Sequence, residues 1–217
     1  MASLGYYLSR LGLHFARETL LFFETPLGRE TALCHDPGPH IRPVSTSQLR
    51  SLEEFGGWLT REKAANLLAQ NPGWRLLVAL DGNRVLGSCW EETGTALLPI
   101  LHLEPRLVPG DCHINHVHVS SNARAMGLAS QLVIAATRDA AVLGCRRAIL
   151  CCVPGNVPML RMMRSLGWRH FQTARYLRVA AFRRYHLEPA NPGHAEVHYS
   201  SSAAAERVVR AGSCLVQ

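Results

Sequence analysis

Residues 74–92, written WRLLVAL-DGN-RVLGSCWEE, place two β-rich runs around a turn at Asp81-Gly82 and predict a hairpin. CHINHVHV at 112–119 reads as a strand, and RAILCCV at 147–153 as a buried one. HIRPVS at 40–45 is a short strand, and GWRHFQTARYLRVAAFRRYHL at 167–187 gives two final strands. TSQLRSLEEFGGWLTREKAANLLAQ at 46–70 predicts two helices broken at Gly56-Gly57, with Thr46 or Ser47 as N-cap. A further helix runs from Arg124 to about Leu143, ended by Gly144, and another from Pro158 to Leu166. Pro99, Pro105 and Pro109 make 97–110 an irregular or edge strand. Near the start, Leu4, Leu8, Leu11 and Phe15 follow helical spacing, and Phe22 extends the stripe.

This order, with helices set between strands, predicts an α/β fold with a mixed sheet. Pro37, Gly38 and Pro39 mark a boundary. The expected organisation is an N-terminal helical extension over 1–36, a main domain over 37–187 and a loosely ordered tail over 188–217. The N-terminal helix is expected to dock on its own domain or on a second subunit in a homodimer, with a membrane surface as the sharper alternative.

Composition narrows the picture modestly. The 217 residues suit one core of ordinary size, 47% of them are hydrophobic and the mean hydropathy is +0.01. No stretch approaches the roughly 20 apolar residues of a membrane helix. Arg10, Arg17 and Glu18 interrupt the apolar N-terminus, which therefore reads poorly as a signal peptide. The seven cysteines lack framework spacing and read as reduced thiols in the cytoplasm. The formal charge is +7, and Lys63 is the only lysine. Between Asp139 and Glu188 there is no acid but there are nine arginines, at 146, 147, 161, 164, 169, 175, 178, 183 and 184. Such a segment attracts a phosphorylated cofactor, an anionic acceptor or nucleic acid, unless acids elsewhere in the fold neutralise it.

The stretch VSSNARAMGLASQL, 119–132, runs from an apolar strand through a polar turn into a helix. A helix N-terminus offers free amides and about half a positive charge to an anion. Gly127 and Ala129 permit close approach to the backbone, and Arg124 adds a charged donor. The next apolar strand is followed by Asn156, a helix and Gly167-Trp168. In this order and spacing the sequence resembles the GCN5-related N-acetyltransferase (GNAT) superfamily, over about 40–187 and most strongly over 112–168.

The resemblance implies a mixed, mostly antiparallel central sheet with helices on both faces, and a strand pair, 112–119 and 147–153, that splays at the cofactor site. It implies that the amides of Arg124, Ala125, Met126, Gly127, Leu128, Ala129 and Ser130 hold the pyrophosphate of acetyl-CoA. Backbone groups of Val117 and Val119 would meet the thioester and pantetheine arm, Asn156 would touch the arm, and part of the arginine cluster would serve the phosphates. The implied activity is acetyl transfer to a primary amine of a small molecule, amino sugar or peptide, with acetyl-CoA as cosubstrate and no metal. The alternative is an acyl-CoA-binding domain without turnover.

His113 is the expected general base, since an ordinary imidazole titrates near pH 6.5. Period-two geometry puts 113, 115, 117 and 119 on one face and His118 on the other. Some family members carry histidines at both positions matching His113 and Asn115; here Asn115 is left to position a water. The family's usual general acid is a tyrosine where this chain has Met163, so either Tyr176 or Tyr185 protonates the thiolate or the thiolate leaves unassisted. Glu53, Glu54, Glu91 and Glu92 could bind an ammonium group, but read mainly as solvated carboxylates. Cys112 with His113, His116 and His118 is a weak zinc pattern. Cys151-Cys152 reads as inert packing. A nucleic-acid surface would use the aromatics Trp168, Phe171, Tyr176, Phe182 and Tyr185 set among the arginines.

Overall fold

The computed structural model describes residues 15–29, 31, 40–52, 59–98, 101, 104–179, 182–190, 198–200 and 206–207. In chain order the strands are β1 (Phe15–Pro26), β2 (Ile41–Val44), β3 (Trp74–Asp81), β4 (Arg84–Glu92), β5 (Glu104–Arg106), β6 (Asp111–Val119), β7 (Arg147–Cys152), β8 (Arg169–Val179), β9 (Phe182–Pro189), β10 (His198–Ser200) and β11 (Glu206–Arg207). The α-helices are α1 (Arg61–Gln70), α2 (Leu128–Val142) and α3 (Val157–Ser165). The chain divides into two compact units. One takes Thr25–Ala96 and Leu107–Leu150; the other takes Met1–Glu24, Leu97–Arg106 and Cys151–Gln217.

In the first unit the strands lie in the order β2-β3-β4-β6-β7. β3 and β4 form the hairpin, turning through Gly82 at φ +59° and Asn83, with Asp81 paired to Arg84. β6 and β7 are parallel, and their register runs only from Asp111 with Arg147 to Ile114 with Leu150. β6 continues from Asn115 to Val119 beyond the last recorded β7 pair, which is the parting of strands that the family resemblance implies. Arg147 clamps the paired end with a two-pronged bond to Asp111, Nε to Oδ1 at 2.9 Å and Nη2 to Oδ2. Such forks are stronger than single neutral hydrogen bonds.

α2 packs on β3, β4 and β6 through Leu132, Val133, Ala136 and Ala140, all buried. Burial of each large apolar side chain is worth about 1.5–3 kcal/mol. Gly87 permits this approach: a Cβ there would lie 2.8 Å from the His118 carbonyl oxygen and 3.0 Å from Leu132 Cδ1. The helix starts at Leu128, four residues later than the sequence pattern suggested, because Ala125 and Gly127 have left-handed φ of +64° and +72° and break helical propagation. α1 is capped by the Thr60 hydroxyl, which accepts from the Lys63 amide at 3.2 Å. The first of the two helices expected over 46–70 is only a 3-10 turn, Gln48–Ser51. Ser47 stands at its N-cap without a capping bond; Ser45 instead accepts from the Gln48 amide at 3.4 Å. Gly56-Gly57 lies outside the described residues.

In the second unit β1, β8 and β9 form an antiparallel run, with Leu20 opposite Ala174 and Phe22 opposite Gln172. This corrects the N-terminal helix over its described part, because Phe15–Pro26 is a strand. A register shift between Phe22 and Phe23 lets both rings be buried, which hides the period of two behind an apparent helical cluster. Residues 1–14 lie outside the described residues. β5 pairs antiparallel with β10, and β10 with β11, so backbone pairing occurs within the region expected to be a loose tail.

Glu91 is a buried acid on the α2 side of β4. Neither of its oxygens meets a donor among the described residues, and it sits beside Asp139 of α2, which pairs with Arg75 of β3. Burial first, then the charge and hydrogen bond of Asp139, push the Glu91 carboxyl well above the ordinary range, against the pull of Arg75. An acid raised in the fold favours folding below its unfolded value of about 4.3 and costs stability as pH rises through the folded value. Between pH 5 and pH 8 the native protein should therefore lose stability that Glu91→Gln retains. Urea midpoints at the two pH values check this, and parallel pH dependence in both proteins would refute it.

Candidate active site

The site begins with a fault in strand pairing. On β4 and β6, Glu92 pairs with His113 and Trp90 with Asn115; the next recorded pair is Ser88 with His118. His116 and Val117 together oppose the single residue Cys89, which is a β-bulge. His116 adopts the left-handed φ of +49°, held locally by its amide donating to Asn115 Oδ1 at 2.8 Å. The expected alternation of 113, 115, 117 and 119 therefore fails. His113 and Asn115 share a face, but after the bulge His118 takes that face, and Val119, opposite Gly87, turns to the α2 side. An extra residue reverses inward and outward positions downstream.

On the shared face, His113 and Glu92 are almost fully buried, with side-chain exposures of 2% and 0%. His113 Nδ1 lies 2.8 Å from Glu92 Oε2, and Asn115 Nδ2 donates to Glu92 Oε1 at 3.1 Å. Both carboxylate oxygens thus have partners on β6. Glu91 and Glu92 are both buried, which corrects their reading as solvated carboxylates. His116 is pushed down from the ordinary imidazole value, chiefly by burial; Glu92 opposes that shift, while His113 and Lys63 add to it. Cys112 is on the opposite face from His113, so the histidine–cysteine zinc pattern does not converge. Among the described residues no group of three or more His, Cys, Asp or Glu is arranged to hold a metal ion.

Beyond β6 the chain turns through the 3-10 segment Ser121–Ala123, and Arg124 Nε reaches back to the Val119 carbonyl at 3.5 Å. Left-handed residues at 125 and 127 then lead into α2, whose first recorded bond is from the Gln131 amide to Gly127 O at 3.1 Å. The amides before Gln131 have no acceptor inside the helix. No side chain caps them, no acid lies in the first turn, and a Cβ on Gly127 would meet nothing within 4 Å. The result is an open, positively polarised rim at the end of the catalytic-candidate strand.

A family model described as "Acetyltransferase (GNAT) family" matches residues 44–168. The chain belongs to the GNAT acetyltransferase family. Among solved structures, a putative GNAT acetyltransferase from Novosphingobium aromaticivorans is similar at 16% identity and a TM-score of 0.53, covering 77% of this chain and 66% of that one. A GCN5-related N-acetyltransferase from Sphaerobacter thermophilus gives 15% identity and 0.44, covering 87% and 56%. A ribosomal-protein-alanine N-acetyltransferase from Brucella melitensis gives 19% and 0.43, covering 58% and 82%. This chain spans between 52% and 66% of the length of the first solved structures that it matches. No curated protein matches it in sequence.

The remaining residues singled out by the GNAT resemblance lie in the second unit. Asn156 is the N-cap of α3, its side-chain oxygen accepting from the Met159 amide at 3.3 Å. Met163 is fully buried. Tyr176 is also buried and stacks on Tyr185, whose hydroxyl donates to Leu101 O at 3.1 Å. Several arginines of the basic segment are engaged inside the fold: Arg146 with the Pro109 carbonyl, Arg147 with Asp111, Arg169 with Glu24 and Arg175 with Glu188. Trp168, Phe171 and Tyr176 are core residues, which removes most of the expected stacking surface. Cys152 is pushed up to about 11 by burial, in keeping with an inert thiol. Sequence reasoning missed Cys145, drawn down to about 7 chiefly by its hydrogen bond with Cys112. It named Glu92 but did not link it to His113, because no pattern in the sequence sets the two side by side.

Proposed function

We propose that this chain is an acetyl-CoA-dependent N-acetyltransferase acting on a primary amine of a small molecule, amino sugar or peptide. The observation that carries the proposal is the rim formed by the left-handed turn at 125 and 127, which opens a 15-residue helix directly after the strand bearing His113. In this reading the amides of 124–130 hold the pyrophosphate, and backbone groups of Val117 and Val119 meet the acyl arm. Val117 lies in the bulge, where a residue leaves the regular ladder, so its N–H suits the developing oxyanion. The acceptor amine gives its proton to His113 through a water on the half-buried Asn115. Its nitrogen forms a bond to the thioester carbon, the carbon–sulfur bond breaks, and coenzyme A leaves as thiolate that is protonated from solvent. The free cysteines among the described residues fit work in the cytoplasm.

A second reading, an acyl-CoA-binding domain without turnover, is favoured by buried Met163 in the place of the family's tyrosine acid. Thiol release with a panel of amines separates the two readings.

Acetyl-CoA at about 100 times its dissociation constant should stabilise the protein by about 2.7 kcal/mol. Differential scanning fluorimetry reads this as a higher Tm, and Gly127→Glu should abolish the rise through bulk, like charge and left-handed strain. No shift at millimolar acetyl-CoA, or an undiminished shift in the variant, refutes the placement.

His113→Ala should lower kcat by about 10²–10⁴-fold, the usual cost of losing a general base, while the acetyl-CoA-induced Tm rise persists. Equal losses in turnover and in cofactor binding would instead assign the imidazole to holding the strand. His118→Ala is not a neutral control, because the bulge puts His118 on the same face.

A further inference from the structure

We infer that Glu92 is a positioning residue for the transfer reaction: it holds the Nδ1 proton of His113 and leaves Nε2 as the basic atom. This rests on the function proposed above. Cross-strand pairing sets Glu92 directly opposite His113, and the two lie 2.8 Å apart in near-complete burial. An imidazole has one N–H in its neutral form, and a hydrogen-bond partner on one nitrogen selects the tautomer. A carboxylate at Nδ1 selects Nδ1–H. Asn115 supports the same arrangement, because its Nδ2 donates to the other Glu92 oxygen and fixes the plane of the carboxylate.

The chemistry follows from charge. When His113 takes the amine proton on Nε2 it becomes imidazolium, and a buried cation without a partner is costly. Glu92 offsets this, turning a lone buried charge into a neutral, hydrogen-bonded pair. The proton then leaves Nε2 for solvent, which restores the neutral imidazole for the next cycle. Among the described residues, the charged and titratable groups acting at this corner include Glu92 on β4, His113 and His116 on β6, and Lys63 on α1. Glu91, one residue away, faces α2 and takes no part.

The first test needs no variant and no substrate. Two-bond ¹H–¹⁵N spectra of the full chain with ¹⁵N-labelled histidine, above pH 8, should show His113 as the Nδ1–H tautomer. An Nε2–H tautomer would overturn the inference. The second test is Glu92→Gln, which keeps the shape and removes the charge. Its kcat should fall by about 100-fold or more, its KM for acetyl-CoA should stay within about threefold, and the rising limb of the pH–rate profile should move to lower pH. Glu92→Asp should recover part of kcat and restore the limb. An unchanged kcat and limb in Glu92→Gln, or equal losses in kcat and acetyl-CoA binding in all variants, would make Glu92 a structural acid only. If Glu92→Gln fails to fold, the native tautomer decides the matter. If the native protein transfers acetyl to no amine, the function proposed above fails, and the spectra still decide the role of Glu92.

Discussion

A carboxylate with no solvent exposure dictates much of the arrangement around β4 and β6. Glu92 exposes 0% of its side chain, and burial of a charge is tolerable only when hydrogen-bonded partners are fixed in place. Here they are His113 and Asn115, two residues apart on the adjacent strand. A one-residue slip of β6 would turn both away and break both of these hydrogen bonds. The β4–β6 register is therefore held by a penalty for error as well as by backbone bonds.

On the other side of β4, Glu91 meets the same difficulty differently. Its carboxyl is pushed up by burial and by the neighbouring Asp139, which pairs with Arg75. Two neighbouring acids thus carry out separate tasks, one facing a helix and the other tying the strand to His113 on β6. The strand is central, with both faces buried, so each environment is excluded from the other.

Much of this could be read from the residues alone. The β3–β4 hairpin was legible because β-rich runs flank an Asp-Gly turn, and the turn that opens α2 was legible because a strand, small residues and a helix follow in order. β1 was obscured where Phe22 and Phe23 are both buried across a register shift, which breaks the alternation that marks a strand. The bulge on β6 was hidden for a related reason. A left-handed residue is usually signalled by glycine, but here it is a histidine held by its neighbour Asn115. Glu92 was read mainly as solvated because an acid is ordinarily a surface residue, and only the fold reveals that His113 lies across from it. Met163 was visible as a departure from the family pattern, but its complete burial was not.

The bulge makes β6 a strand with two reading frames. Upstream, odd-numbered side chains look toward Glu92; downstream, His118 takes over that side. A substitution scan along 111–119 will show a phase break at 116–117, with sensitive positions falling out of step on either side. Sequence comparison that assumes strict alternation would align the wrong residues of β6 with a relative's reactive side. A one-residue deletion at the bulge would restore regular alternation while each half of the strand kept the face it now presents.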